Sequence, residues 1–267
     1  MNTVRLDWAE EGIAVLTLDR PKRLNAISDE LTEDLHAALS VVEAEPGARV
    51  LVLTGAGRGF CAGADLHESV AQGGAKALPT PALYARQRRW SQLSVRLHEL
   101  PVPVIAAVNG PAVGGGFALA LACDLRLAAD TAYFCAANVR IGLTGGEMGL
   151  TWLLTRAVGA ALAAELLLTA RNCDAAEALG RGLVSRVVAG HELLPAALDL
   201  ARLIRANPPF GILLTKEMLR VAPCEATLRQ ALVLEDRSQS LSVHGGDVDR
   251  ASAEFDAGRS QQRDPLI

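Results

Sequence analysis

Two glycine- and alanine-rich stretches carry the chemistry this sequence offers. The first, Gly59-Phe60-Cys61-Ala62-Gly63-Ala64-Asp65-Leu66, follows an alternating segment, Arg49 to Leu53, that closes in Thr54-Gly55. The second, Asn109-Gly110-Pro111-Ala112-Val113-Gly114-Gly115-Gly116, follows the apolar run Val104 to Val108. Each reads as a strand that runs into bare backbone just before a candidate helix, the second helix being Phe117 to Ala122. Three successive glycines there cost roughly 0.5–1 kcal/mol each relative to alanine if they count as helical positions. Two needs account for such a choice: a neighbour packs too closely for a Cβ, or a ligand is brought against free N–H groups at a helix N-terminus. Two strand ends of this kind can together present two N–H groups to one oxygen, which is what an oxyanion hole requires.

The elements that must hold these stretches are legible along the chain. Ile13 to Leu18 reads as a first strand closed by Asp19-Arg20-Pro21. Ser28 caps a helix with Asp29 and Glu30 in its first turn and Leu31, Leu35, Ala38, Leu39 and Val42 on one face, leaving His36 off the stripe as a surface residue. Ser69 to Pro81 has no periodicity and is expected to be a mobile loop, a candidate lid. Trp90, Leu93, Leu97 and Leu100 recur at helical spacing until Pro101 and Pro103 end the helix. Leu125 to Ala128 and Tyr133 to Phe134 read as strands. Asn138 to Thr151 is a loop with four glycines leading into the helix Trp152 to Val158, and Glu147 is its only acid. Asp65 and Asp124 suit structural roles, a helix cap and a turn anchor, and His67 a place on the surface. From Leu193 onward the pattern is helical throughout, with a change of architecture near Asn207-Pro208-Pro209.

Composition bounds the function. The 267 residues suit one large domain with an appendage. Half of them are hydrophobic, yet no apolar run reaches the roughly 18 residues that span a bilayer, and MNTVRLDWAEEG has no signal-peptide core, so a soluble cytoplasmic protein is expected. Five dispersed cysteines without a CxxC pair suggest neither a disulfide framework nor a metal site. A net charge of −4 gives no general attraction to nucleic acid or membrane, so a phosphate-bearing ligand needs local basic residues.

Together the two small-residue motifs, in this order and with the downstream segment Leu154 to Val188, resemble the crotonase superfamily, the enoyl-CoA hydratase and isomerase fold, over nearly the whole chain. The resemblance implies an α/β protein: a ββα spiral core over residues 1–206, with two perpendicular sheet layers, and a helical region over 207–267 that packs over the active site and builds a trimer or a dimer of trimers. It implies an acyl-CoA substrate of fatty acid metabolism, and no cofactor beyond the coenzyme A of the thioester itself. Carried over residue by residue, the oxyanion donors fall on the N–H groups of Ala64 and Gly115. Ala62, Ala64, Asp65, Leu66 and Gly114 border the coenzyme A groove, and Lys22 or Arg23 in the segment Pro21 to Ala26 is placed to meet a phosphate, the alternative being two solvated loop cations. The positions that match the two glutamates of the hydratases hold Ala118 and Asn138, neither of which is a useful base, so hydration in the usual way is disabled. Glu147 matches a single acid that contributes to catalysis in related branches, although the loop is one residue longer here, and it equally suits a helix-dipole role. The expected activity is enolate chemistry of the isomerase type with Glu147 as its acid–base group. A non-catalytic acyl-CoA binder is the alternative, and a serine peptidase built on the same spiral is disfavoured because no GxSxG-like elbow is present.

Overall fold

The computed structural model describes residues 1–67, 78–221 and 227–244. Its central element is a six-stranded sheet. Strands β1 (Val4–Glu10) and β2 (Ile13–Leu18) form an antiparallel pair through a turn at Gly12, whose φ of 75° lies in the left-handed region. β2 then runs parallel to β3 (Val50–Gly55), which pairs in parallel with β4 (Val104–Val108). A parallel sheet is covered on both faces, and the continuous burial of β2 and β4, together with Val50 to Leu53 of β3, is its signature. The alternation read into Arg49 to Leu53 is therefore not expressed as an exposed face. β1 was not expected from the sequence: as an edge strand it buries only Val4 fully, so its apolar signal is thin.

After β4 the chain turns at Asn109-Gly110-Pro111, where a Cβ on Gly110 would lie 2.2 Å from the Arg58 carbonyl oxygen. It enters a second sheet as β5 (Ala112–Val113), returns to the first as β6 (Leu125–Ala129), and goes back to the second as β7 (Tyr133–Cys135) and β8 (Cys173–Asp174). β9 (Arg186–Val188) closes the large sheet. The strand orders are β1-β2-β3-β4-β6-β9 and β5-β7-β8. Within the downstream segment Leu154 to Val188, only the last three residues pair in this sheet, against Leu127 to Ala129.

Helix α1 (Asp29–Ala44) starts as its sequence dictates, with Ser28 Oγ accepting from Leu31 N at 3.0 Å. His36 corrects the reading above. It is only 4% exposed, and it is held against α2 (Thr80–Glu99) by contact of Nε2 with the Arg89 carbonyl at 3.1 Å and by Arg96 donating to the His36 carbonyl at 2.7 Å. The apolar stripe of α1 is wider than a five-residue count suggests, because a histidine can be buried once its polar atoms are met. The expected loop Ser69 to Pro81 falls mostly on residues 68–77, outside the described residues, while Thr80 and Pro81 already belong to α2, with proline in its favoured first-turn position.

α3 (Gly115–Ala122) is buried along its entire length. α4 (Leu150–Val158) begins two residues earlier than expected and is followed at once by α5 (Ala160–Thr169), with Gly159 at a φ of 79° between them. α6 (Ala175–Gly180) is capped by Asp174 Oδ1, which accepts from Glu177 N at 2.8 Å. Then come α7 (Leu193–Arg205), α8 (Pro209–Val221) and α9 (Leu228–His244). The chain divides into two compact units, 1–203 and 204–267. The first holds both sheets. The described residues of the second are mainly helical, and within it Ser238 Oγ on α9 approaches Met218 Sδ on α8 at 3.3 Å. Among the described residues no helix is long and apolar enough to cross a membrane.

Candidate active site

The two small-residue stretches meet. Cys61 and Ala112 form a parallel bridge in which Cys61 N donates to the Pro111 carbonyl at 3.0 Å and Val113 N to the Cys61 carbonyl at 2.9 Å. On the other flank Ile27 bridges Ala64: Ile27 N donates to the Gly63 carbonyl at 2.7 Å and Asp65 N to the Ile27 carbonyl at 2.9 Å. In a parallel bridge the residue at the centre turns its own N–H away from the partner strand. The N–H of Ala64 therefore faces away from Ile27. Gly63 is at a φ of 81°, and a Cβ there would lie 2.7 Å from the Val113 carbonyl and 3.4 Å from the Gly115 nitrogen. The chain just before Ala64 is thus packed against the start of α3, where Gly115, as the first helical residue, has no partner for its N–H within the helix. Gly116 is glycine for a packing reason, since its Cβ would fall 2.1 Å from the Cys61 carbonyl oxygen. The packing need considered for the glycine run applies at both residues, since a Cβ on Gly115 would lie 2.8 Å from Ile27 Cδ1.

The first loop is clamped by residues that the sequence reading did not single out. Asn25, fully buried at a φ of 56°, donates from Nδ2 to the carbonyls of Ala56 (3.0 Å) and Gly59 (2.8 Å) and accepts at Oδ1 from Arg20 N (2.9 Å). Arg20 reaches Asp65 Oδ2 at 2.9 Å and the Ala26 carbonyl. The segment Pro21 to Ala26 acts first as a brace for the loop. A buried asparagine in a polar turn resembles any other turn asparagine in sequence, so nothing local marked this role. Asp65 is 6% exposed and engaged by Arg20, while Ala62 and Ala64 are half-buried and Leu66 and His67 exposed beside it. Lys22 and Arg23 are exposed on a short 3-10 turn, Pro21–Arg23. Gly114 has its N–H committed to the Cys135 carbonyl at 2.9 Å. Asp124 accepts from Val104 N at 2.7 Å, which anchors the start of β4.

Glu147 comes to the same place from the glycine loop after β7. A Cβ on Gly114 would lie 3.4 Å from Glu147 Oε2 and 3.3 Å from Asn138 Oδ1, and a Cβ on Gly115 would lie 3.8 Å from Glu147 Oε2. The carboxylate is half-buried and receives Asn138 Nδ2 on Oε2 at 2.5 Å. Asn138 is 6% exposed, and its Oδ1 has no hydrogen-bond partner among the described residues. The next residue, Met148, is buried at a left-handed φ of 49°, which is unusual for a side-chain-bearing residue and is the price of turning Glu147 inward ahead of α4. Ala118 is fully buried in the first turn of α3 and brings no titratable group. Cys61 is no nucleophile: burial pushes its thiol up to about 12, and the negative charge of nearby Glu147 adds to the effect. A carboxylate set beside the start of α3 can move a proton next to a carbonyl held by backbone amides.

The chain as a whole is similar to known proteins. The model of the Enoyl-CoA hydratase/isomerase family matches residues 9–258. A probable enoyl-CoA hydratase of Mycobacterium tuberculosis is 40% identical over 271 residues, covering 100% of this chain and 93% of that protein. The 1,2-epoxyphenylacetyl-CoA isomerase of Escherichia coli is 40% identical over 259 residues, covering 96% of this chain and 97% of that protein. The crystal structure of an enoyl-CoA hydratase from Bacillus anthracis aligns with a TM-score of 0.89 at 32% identity, covering 99% of this chain and 98% of that one. With the family model, the relatives and the solved structure all matching over nearly its full length, the chain belongs to the enoyl-CoA hydratase/isomerase family and has the crotonase fold.

Proposed function

We propose that the protein isomerises an acyl-CoA thioester through an enolate, with Glu147 as the single acid–base group. The thioester carbonyl oxygen sits between the N–H groups of Ala64 and Gly115, each able to contribute about 3–4 kcal/mol to a developing oxyanion. Glu147 removes a proton from the carbon next to the carbonyl, the electron pair moves onto the thioester oxygen, and the proton returns at another carbon as the carbonyl re-forms. Asn138 occupies Oε2, so Oε1 is the oxygen that carries the proton. The coenzyme A moiety runs past Ala62, Asp65, Leu66 and Gly114, with Lys22 and Arg23, exposed on their 3-10 turn, offered to its phosphates.

The observation that carries this reading is the carboxylate of Glu147 against Gly114 and Gly115, in a site whose other two candidate positions, Ala118 and Asn138, offer no base. The isomerase named among the relatives supports it. Relatives named as probable hydratases support the competing reaction, water addition, which needs a second acid–base group in the usual scheme. A panel of enoyl-, dienoyl- and aryl-acyl-CoA thioesters followed by mass spectrometry separates the two. Isomerised product without added water is expected, and Glu147→Gln is expected to lower turnover by about 10²- to 10⁴-fold with thioester affinity nearly unchanged. Rapid hydration by the wild type would replace the isomerase reading. Equal turnover by Glu147→Gln would remove that residue from the mechanism.

A further inference from the structure

Helix α2 is held on two sides by contacts of different kinds. Toward the reaction site it packs on α3, and Val95 and His98 face Met148 and Trp152 across an apolar cavity of about 210 Å³. Toward α1 the contact is polar. Arg86, Arg89 and Arg96 of α2 pair with Asp29, Glu33 and Glu43 of α1 at 2.6 Å each. Ion pairs as open to solvent as Arg89–Glu33 contribute little. The buried member of this row is His36, only 4% exposed.

The His36 ring is connected in one way only. Arg96 Nη1 lies 3.2 Å from Nδ1, and the Arg89 carbonyl oxygen lies 3.1 Å from Nε2. A guanidinium only donates and a carbonyl only accepts, so both partners demand the same form: a neutral imidazole that accepts at Nδ1 and carries its hydrogen on Nε2. The same guanidinium donates to the His36 carbonyl at 2.7 Å, Ser40 Oγ at 3.0 Å and Glu43 Oε2 at 2.6 Å, which ties α2 to about two turns of α1. A second proton on the ring stands on Nδ1 and points at Arg96, donor against donor and charge against charge. Among the described residues the charged groups around the ring are Glu33 and Glu43 on α1 and Arg89 and Arg96 on α2. Glu33 is occupied by Arg89 at both oxygens, and Glu43 by Arg96, so neither carboxylate is placed to take over the new N–H.

We propose that His36 and Arg96 form a pH-sensitive latch on α2: the neutral ring holds the helix against α1, and proton uptake by the ring displaces Arg96 and loosens α2. The direction follows from the two forms. In the loosened form the imidazole titrates near its ordinary 6.5, and in the latched form burial and the two arginines hold it lower, so the loosened form gains as pH falls from 6.5. The latch itself does not depend on the proposed reaction. Its effect on ligands rests on the reading of Ala64, Gly115 and Glu147 as an acyl-CoA site: α2 packs on α3, whose first residue is Gly115, so loosening α2 weakens thioester binding.

Hydrogen exchange of the full chain at about pH 7.5 and about pH 5.5, corrected for the intrinsic pH dependence of exchange, tests the latch without any ligand. In the wild type the amides of α2 are expected to lose protection by about 5-fold at the lower pH, while those of β2 do not change. His36→Gln keeps an acceptor for Arg96 and a donor for the Arg89 carbonyl but does not titrate, and its α2 is expected to show no pH response. Arg96→Gln removes the charge that opposes the second proton and is expected to flatten the response as well. His98, on the face of α2 toward Trp152, is present in both variants and so serves as the internal control. An α2 that keeps its protection in the wild type at low pH, or that loses it equally in both variants, would overturn the latch. Calorimetric titration with crotonyl-CoA at the same two pH values reads the link to the site. Affinity is expected to fall about 5-fold more in the wild type than in His36→Gln, and equal falls would overturn that link. Failure of crotonyl-CoA to bind at either pH would overturn the proposed function, with the latch still decided by exchange.

Discussion

At the scale of single residues the proposed reaction depends on one hydrogen bond and two amides. Asn138 is buried, donates to Glu147 Oε2 and has no titratable proton to contribute, so its place in the proposed reaction is to orient the carboxylate. Asn138→Leu, close in volume but without the donor, is expected to lower kcat by about 10- to 100-fold with KM little changed, as a misaligned base does. Steady-state kinetics on whichever thioester the wild type turns over would decide the matter, and an unchanged kcat would exclude the orienting role. That two small-residue loops meet was foreshadowed because bare backbone leaves a compositional trace, while the resemblance implied Ala64 and Gly115 as donors. The pairing of Asn138 with Glu147 left none. The two are nine residues apart, Asn138 on the 3-10 turn Ala137–Ile141 and Glu147 in the glycine-rich stretch that follows it.

At the scale of elements, the close approach of the Cys61 strand end to α3 sets what the glycine run tolerates. Gly116→Ala places a methyl 2.1 Å from a backbone carbonyl that has no side-chain freedom to retreat, and a loss of about 3 kcal/mol is expected. Gly180→Ala, at the end of α6 with nothing within 4 Å, is the control and should stay within about 1 kcal/mol of wild type. Denaturant unfolding of both reads the difference, and equal stabilities would refute the packing account. The seam between α1 and α2 carries a pH dependence. Burial holds the His36 imidazole below its ordinary value of 6.5, reinforced by the charges of Arg89 and Arg96 and opposed by Glu33. The unfolded chain therefore takes up this proton first as pH falls, and the stability present above 6.5 is lost as the pH drops through the lower folded value. The melting temperature should fall between about pH 7 and pH 5 more steeply for wild type than for His36→Gln. Parallel curves for the two proteins would show that the imidazole does not control the seam.

At the scale of the whole molecule, the second unit leaves apolar side chains in solvent: Leu228 is 76% exposed, Val233 65% and Val243 52% on α9. Exposed apolar surface of this kind on a soluble chain favours self-association. A trimer, or a dimer of trimers, of the 28.1 kDa chain is proposed on this ground together with the family resemblance. Light scattering at micromolar concentration should give three or six chain masses, and a monomer would sink the proposal.

The sequence by itself determined the parallel β2-β3-β4-β6 core through its apolar runs, the helices through caps and periodicity, and the two small-residue loops through the absence of side chains where a strand meets a helix. These signals are local, and each is written within about 20 residues. Tertiary structure alone decided the rest. It paired the edge strand β1, whose single buried residue is too weak a pattern to read, and it buried His36, whose partners lie 53 and 60 residues away. It also made Asn25 the clamp of the first loop, and it put an apolar cavity beside Met148. The physical reason is common to all four. A hydrogen bond or a close contact between distant residues constrains both partners without imposing a period or a composition on either, so the one-dimensional pattern does not record it.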